Sequence, residues 1–189
     1  MRFQLTDPAD PADVAQVVDA LAGATRPCGS TAIIAIDGLS GSGKTTLARA
    51  VSDALGAPTV HMDDLYPGWD GLAEAVGLLT TQVLEPLSRG ERAAYRVWDW
   101  RRGEWNGVTQ VPVSERLVIE GCGSSVGAAG RYAAVRVWME ASREVRMRRG
   151  LARDGEAYRP HWERWARQEV ELFARDGTRG RAHVVITTG

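Results

Sequence analysis

Gly38-Leu39-Ser40-Gly41-Ser42-Gly43-Lys44-Thr45 carry the most specific chemistry in the chain, satisfying G-x-x-x-x-G-K-[ST] in full. Glycines at these spacings let successive backbone N–H groups turn inward as a cradle for anionic oxygens. A helix that starts there adds its unpaired N–H groups and the positive end of its dipole. Lys44 would reach β- and γ-phosphate oxygens, and the Thr45 hydroxyl suits Mg²⁺. Ser40, Ser42 and Thr46 complete the set expected around ATP·Mg²⁺.

The chain has 22 arginines and one lysine, Lys44. Such a bias is what GC-rich coding produces on exposed positions. A lysine kept against it marks a place where the planar guanidinium fork fails.

Phosphate transfer to a hydroxyl also needs a carboxylate beside the acceptor, at the strand ends where the loop lies. Asp63, in His61-Met62-Asp63-Asp64-Leu65-Tyr66, holds that position and could orient the hydroxyl or take its proton. Asp64 replaces it if the register is one residue out, and a turn aspartate is the plain alternative. Glu120 closes the apolar run Leu117-Val118-Ile119, where a carboxylate without a function would be costly; it reads as a Mg²⁺ acid. Residues 143–153 hold five arginines. Arg146, Arg149 and Arg153 fall at i, i+3 and i+7, on one helical face, and could clamp transferring phosphate or form a solvated basic face.

The elements that must position these residues follow from periodicity. Residues 10–22 read as an amphipathic helix, residues 31–36 as a buried strand, and residues 44–55 as a helix. A strand over 58–62, a helix over about 71–88, and strands at 116–120, 134–139 and 183–186 come next, with helices near 142–153 and 160–175. Residues 90–115 read as irregular or hairpin structure turning at Asn106-Gly107. Strands alternating with helices give an α/β fold, a parallel sheet covered on both faces. A length of 189 residues suits one domain over 1–189.

The composition excludes other classes. A net charge of −1 gives no general field for nucleic acid or an anionic membrane. Two cysteines, Cys28 and Cys122, are too few for a disulfide framework and point to a reducing compartment. No membrane span or signal peptide is visible, so a cytoplasmic protein is expected. Oligomeric state is not readable. With Lys44 in the loop and the single Asn106 followed by Gly107, no Asn-Lys-x-Asp guanine-reading motif exists. No Ser-Gly-Gly signature of ABC-type ATPases occurs either.

Gly38–Ala48, the His61–Tyr66 segment, Ile119-Glu120-Gly121 and the arginine series Arg146, Arg149, Arg153-Asp154 together resemble the uridine kinase family of P-loop kinases over roughly residues 31–186. The resemblance implies a three-layer sandwich with a five-stranded parallel sheet in the order 2-3-1-4-5. It also implies a small arginine-bearing lid (143–160), its tip at Gly155–Pro160, and an acceptor-binding region (63–115). Tyr66 matches the family tyrosine at the acceptor pocket, or packs in the core. Trp69, Trp98, Trp100 and Trp105 would stack on an acceptor ring, or serve core packing or a subunit contact, and Asp70 and Asp99 would meet sugar hydroxyls. The stretch Tyr95–Arg102 departs from the family pattern in having no histidine. The resemblance thus implies an ATP-dependent kinase of a small hydroxyl acceptor, a nucleoside first. Another acceptor (a nucleotide, vitamin precursor or sugar acid) and a non-catalytic ATP-binding switch are the alternatives.

Overall fold

The structure, a computed structural model, describes residues 8–155 and 159–189, apart from the Asp154 side chain. Helix α1 (Pro11–Ala22) starts at Asp10, whose carboxylate accepts the Ala12 N–H at 2.9 Å. Strand β1 (Ala32–Gly38) leads through the glycine loop into α2 (Lys44–Leu55), and β2 (Thr59–His61) follows. Helix α3 (Leu72–Leu79) widens into a π turn (Thr80–Leu84) and ends as α4 (Glu85–Ser88). Pro86 has no N–H for the Gln82 carbonyl, and the Thr80 and Thr81 hydroxyls bond back to Val76 O and Gly77 O.

Strands β3 (Ala93–Asp99) and β4 (Glu104–Val111) form a separate antiparallel hairpin. It turns at residues 100–103, and Asn106-Gly107 lie inside β4. Asp99 decides this: its Oδ1 accepts the Arg101 and Arg102 N–H groups, and its carbonyl accepts Gly103 N at 2.7 Å. The chain continues as β5 (Arg116–Glu120), α5 (Gly127–Tyr132), β6 (Ala133–Glu140), α6 (Arg143–Asp154), α7 (Trp162–Asp176) and β7 (Val184–Thr187). The glycine-rich α5 gave no periodic signal in the sequence.

The main sheet runs β2-β5-β1-β6-β7, all parallel. Counted over these five strands alone, this is the expected order 2-3-1-4-5. Successive β1 residues enter opposite cores. Ile33 and Ala35 join Leu117 and Ile119 under α3, α5 and α7. Ile34 and Ile36 join Val118, Val135, Leu47 and Val51 under α1 and α2. Burial on both faces explains the nearly unbroken apolar run of the strand. The result is a three-layer α/β sandwich with its chemistry at the carboxyl edge.

Candidate active site

Strand register fixes the first row of the site. His61 of β2, Glu120 of β5 and Ile36 of β1 lie side by side at the strand ends. The glycine loop leaves β1 two residues beyond this row. Asp63 lies two residues past His61, in the one-turn helix Met62–Asp64. The topology therefore puts both predicted carboxylates on the edge from which the loop emerges.

The loop is held closely by the rest of the fold. A Cβ on Gly38 would sit 2.1 Å from the Met139 carbonyl oxygen. One on Gly41, where φ is +80°, would sit 2.3 Å from the Arg146 carbonyl oxygen. The backbone of α6 thus lies directly on the cradle, which no side chain at 41 would permit. Every polar group of Ser40 is engaged. Its N–H donates to Glu169 Oε1 at 2.7 Å, its Oγ accepts from Trp165 Nε1 at 2.9 Å, and its carbonyl accepts from Arg146 at 3.3 Å. Thr188 Oγ1 donates to Ser42 O at 3.1 Å, tying the segment after β7 to the same loop.

Lys44 is buried and donates to Leu39 O at 3.0 Å, spanning the loop from its last residues to its first. Burial pulls its pKa down. Cys122, Glu169, Glu120 and Asp37 outweigh that and hold it above the ordinary lysine value, so the ammonium keeps its charge. Thr45 Oγ1 lies 3.3 and 3.4 Å from the two Glu120 oxygens. Among the described residues no three His, Cys, Asp or Glu side chains converge as a metal cage. Mg²⁺ beside phosphates takes one or two protein oxygens and keeps its waters, so a hydroxyl and a carboxylate side by side fit it. Glu120 Oε1 also meets His61 Nδ1 at 2.7 Å. That hydrogen bond, with the charges of Glu120, Asp64 and Asp63, holds His61 above its usual pKa against partial burial.

Two carboxylates unassigned from the sequence brace the loop. Asp37, fully buried at the end of β1, accepts N–H groups from Gly38, Gly123 and Ser125 and the Ser125 hydroxyl, all within 2.9 Å. Burial pushes its carboxyl pKa up against the pull of these donors. It welds the phosphate-loop strand to the loop after Glu120. Glu169 is 1% exposed and accepts from Ser40 N, Trp165 Nε1 and Cys122 Sγ. The sequence carries one signal for each, an acid on an otherwise apolar surface, without showing what it binds: Asp37 closes an apolar strand, and Glu169 stands at i+4 from Trp165 and i−4 from Phe173. Burial pushes the Cys122 thiol up, so it remains a thiol donor.

The arginines separate. Arg146 is 8% exposed, 3.9 Å from Glu169 and over the Trp162 ring at 5.7 Å. Arg149 donates to Gly41 O at 3.5 Å, Thr188 Oγ1 at 2.8 Å and Gly189 O at 2.6 Å. Both lie on the loop. Arg153 is exposed one helical turn further on. Of the expected lid tip, residues 156–158 lie outside the described residues.

On the acceptor side, Tyr66 is buried, its hydroxyl donating to Cys122 O at 2.9 Å and its ring edge-on to Trp165. Asp63 is exposed, and its carbonyl accepts the Trp100 indole N–H at 2.9 Å. Asp64 accepts from Tyr95 OH at 3.2 Å. Trp69 stacks on His161, with ring centroids 4.4 Å apart and planes 8° apart, and Trp100 leans on it at 4.9 Å. Asp70 pairs with Arg164 of α7. Trp98 packs edge-on to Trp105 within the hairpin. Asp99 gives Oδ1 to the turn N–H groups of Arg101 and Arg102 and Oδ2 to the Asn106 amide of β4, which leads the donors that hold its carboxyl below the usual pKa. Neither Asp70 nor Asp99 therefore presents a bare carboxylate to a sugar.

A P-loop with Lys44, Thr45 and Glu120 at the carboxyl edge of a 2-3-1-4-5 sheet defines a P-loop phosphotransferase-type fold. Residues 34–173 match the AAA domain family (AAA_18), and the chain belongs to that family. Among solved structures, it is similar to a possible uridine kinase from Bacillus stearothermophilus. Identity is 20%, coverage is 93% of this chain and 97% of that one, and the TM-score is 0.65. A candidate fructose transport system kinase from Silicibacter sp. TM1040 is 18% identical over 94% of this chain and 98% of that one, TM-score 0.55. At these identities the likeness shows the fold alone, a P-loop three-layer sandwich. No curated protein matches the chain. No helix among the described residues is long and apolar enough to cross a membrane.

Proposed function

We propose that this chain, acting as one domain, is an ATP·Mg²⁺-dependent kinase that phosphorylates a hydroxyl of a small ring-bearing metabolite, a nucleoside first. The observation that carries the reading is the Thr45–Glu120 contact beside a complete phosphate loop, a hydroxyl and a carboxylate of the kind that suits Mg²⁺ next to phosphate. Nucleotide binding alone does not call for Asp63 at the same edge.

In this reading the loop amides and Lys44 hold the triphosphate, and Thr45 and Glu120 hold Mg²⁺. The metal, when bound, neutralises phosphate charge. Asp63 receives the acceptor's hydroxyl proton as the oxygen bonds to the γ-phosphorus and the bond to the ADP oxygen breaks. Arg146 and Arg149, already on the loop, meet the charge that develops on the transferred group, with Arg153 joining from the same helix. The faces of Trp69, Trp100 and His161, beside Asp63 through the Trp100 hydrogen bond, favour a planar ring in the acceptor. The reducing cytoplasm is the proposed setting, and small-molecule acceptors rather than nucleic acid or membrane the proposed partners.

The test is ATP consumption by the purified chain against nucleosides, nucleotides, pantothenate-like acids and sugars. Nucleoside-dependent ADP formation is expected. Turnover with sugars or acids alone would replace the acceptor class, and tight ATP binding with no acceptor turnover would replace the enzyme by a switch.

A further inference from the structure

Of the two loop carboxylates that the kinase reading leaves without a task, Asp37 is saturated by backbone and hydroxyl donors, whereas Glu169 faces a charged side chain. Glu169 comes from α7, far along the chain, yet it accepts the N–H of Ser40, in the first turn of the phosphate loop, at 2.7 Å. It lies in an apolar layer with Trp165, Phe173 and Tyr66, where an ionised side chain needs compensation. The compensation is specific: three donors on one oxygen, and the Arg146 guanidinium 3.9 Å from the other.

Arg146 is incompletely held in return. Its approach to Glu169 is an ion pair too long for a hydrogen bond. Among the described residues its side chain makes one hydrogen bond, of 3.3 Å to Ser40 O, and its buried Nε–H has no hydrogen-bond partner there. A buried guanidinium with spare donors has unmet demand for an anion. Glu169 and Arg146 thus grip the N–H and the carbonyl of the same residue, Ser40. Lys44, within the field of Glu169, spans the loop beside them.

Resting on the kinase reading, we propose that Glu169 is a positioning residue. It sets the first turn of the phosphate loop and holds Arg146 against it as an internal counter-anion, which a γ-phosphate must outcompete. A carboxylate there weakens the ground-state grip of Arg146 on the triphosphate. The full benefit of the guanidinium is kept for the transition state, where more charge develops.

Binding affinities separate this role from mere support of the fold. Glu169→Gln keeps an oxygen for the Ser40 and Trp165 N–H groups and removes the charge. Titration calorimetry with Mg²⁺ present is expected to show ATP bound about tenfold more tightly and ADP changed by less than about twofold. Glu169→Ala, which also loses the acceptor, weakens both nucleotides. Arg146→Gln gives an independent reading, because it leaves Glu169 unneutralised: the preference for ATP over ADP falls by about tenfold or more. Equal shifts for ATP and ADP in Glu169→Gln, or an unchanged preference in Arg146→Gln, would overturn the inference and leave the kinase reading standing. Failure of the unsubstituted protein to bind ATP·Mg²⁺ would overturn the kinase reading itself.

Discussion

Around Ser40, side chains from α6 and α7 satisfy one residue's N–H, carbonyl and hydroxyl, with α6 backbone pressed against the neighbouring glycine. Around Trp69 the arrangement is looser. One indole stacks on His161 and leans on Trp100, its loop is tethered by Gln168 to Trp69 O and by the Arg164–Asp70 pair, and the adjoining hairpin is largely exposed. In the proposed reading, the phosphate side is specified by backbone and the acceptor side by side-chain faces. A triphosphate presents fixed geometry to main-chain amides, so its site tolerates little change. An acceptor ring is read by apolar area, which can be re-cut one side chain at a time. Helix α7 serves both, reaching Ser40 through Trp165 and Glu169 and the Trp69 loop through Arg164 and Gln168.

Substitutions that break this contrast grade in size. Lys44→Arg conserves charge yet forces a bulkier fork into a buried position inside the loop. A loss of kcat/KM of about a hundredfold or more is expected in a coupled ADP assay, and full activity would refute the reading of the lone lysine. Gly41→Ala drives a methyl group into the Arg146 carbonyl, separating α6 from the cradle. ATP affinity should fall by about a hundredfold and stability by about 1–3 kcal/mol, read by calorimetry and thermal unfolding. On the acceptor side, Trp69→Ala should raise the acceptor KM about tenfold and leave the ATP Kd unchanged. A change confined to ATP would undo the division of labour. Asp70→Asn, which loses an exposed pair with Arg164, should shift stability by less than about 0.5 kcal/mol in denaturant titration. A larger loss would mean that the α7 tether organises the acceptor loop more than its exposure implies.

The same contrast governs what the sequence could reveal. The phosphate side was legible because main-chain function demands particular residue types: glycines for the cradle, one lysine, a hydroxyl, and an acid ending an apolar strand. Sheet order followed from the resemblance, and the strands from unbroken apolar runs. Asp37 and Glu169 were missed as site residues because their roles depend on which loop packs against them across the sheet edge, which chain spacing does not encode. The hairpin turn was misplaced at Asn106-Gly107. A two-residue dipeptide signal competed there with Asp99, whose side chain captures two successive N–H groups and moves the reversal to residues 100–103. Tyr66, Asp70 and Asp99 had residue types suited to an acceptor pocket, but their hydrogen bonds and ion pairs depend on neighbours supplied by residue 122, by α7 and by the hairpin itself.

The central claim is that Asp63 faces a phosphoryl group held by the loop, and the Asp63→Asn protein tests it most directly. Calorimetry should give an ATP·Mg²⁺ affinity within about twofold of the unsubstituted protein, because Asp63 lies outside the cradle. Acceptor-dependent ADP formation should fall by about a hundredfold to ten-thousandfold. Unchanged turnover with unchanged affinity would contradict the account and remove Asp63 from the chemistry.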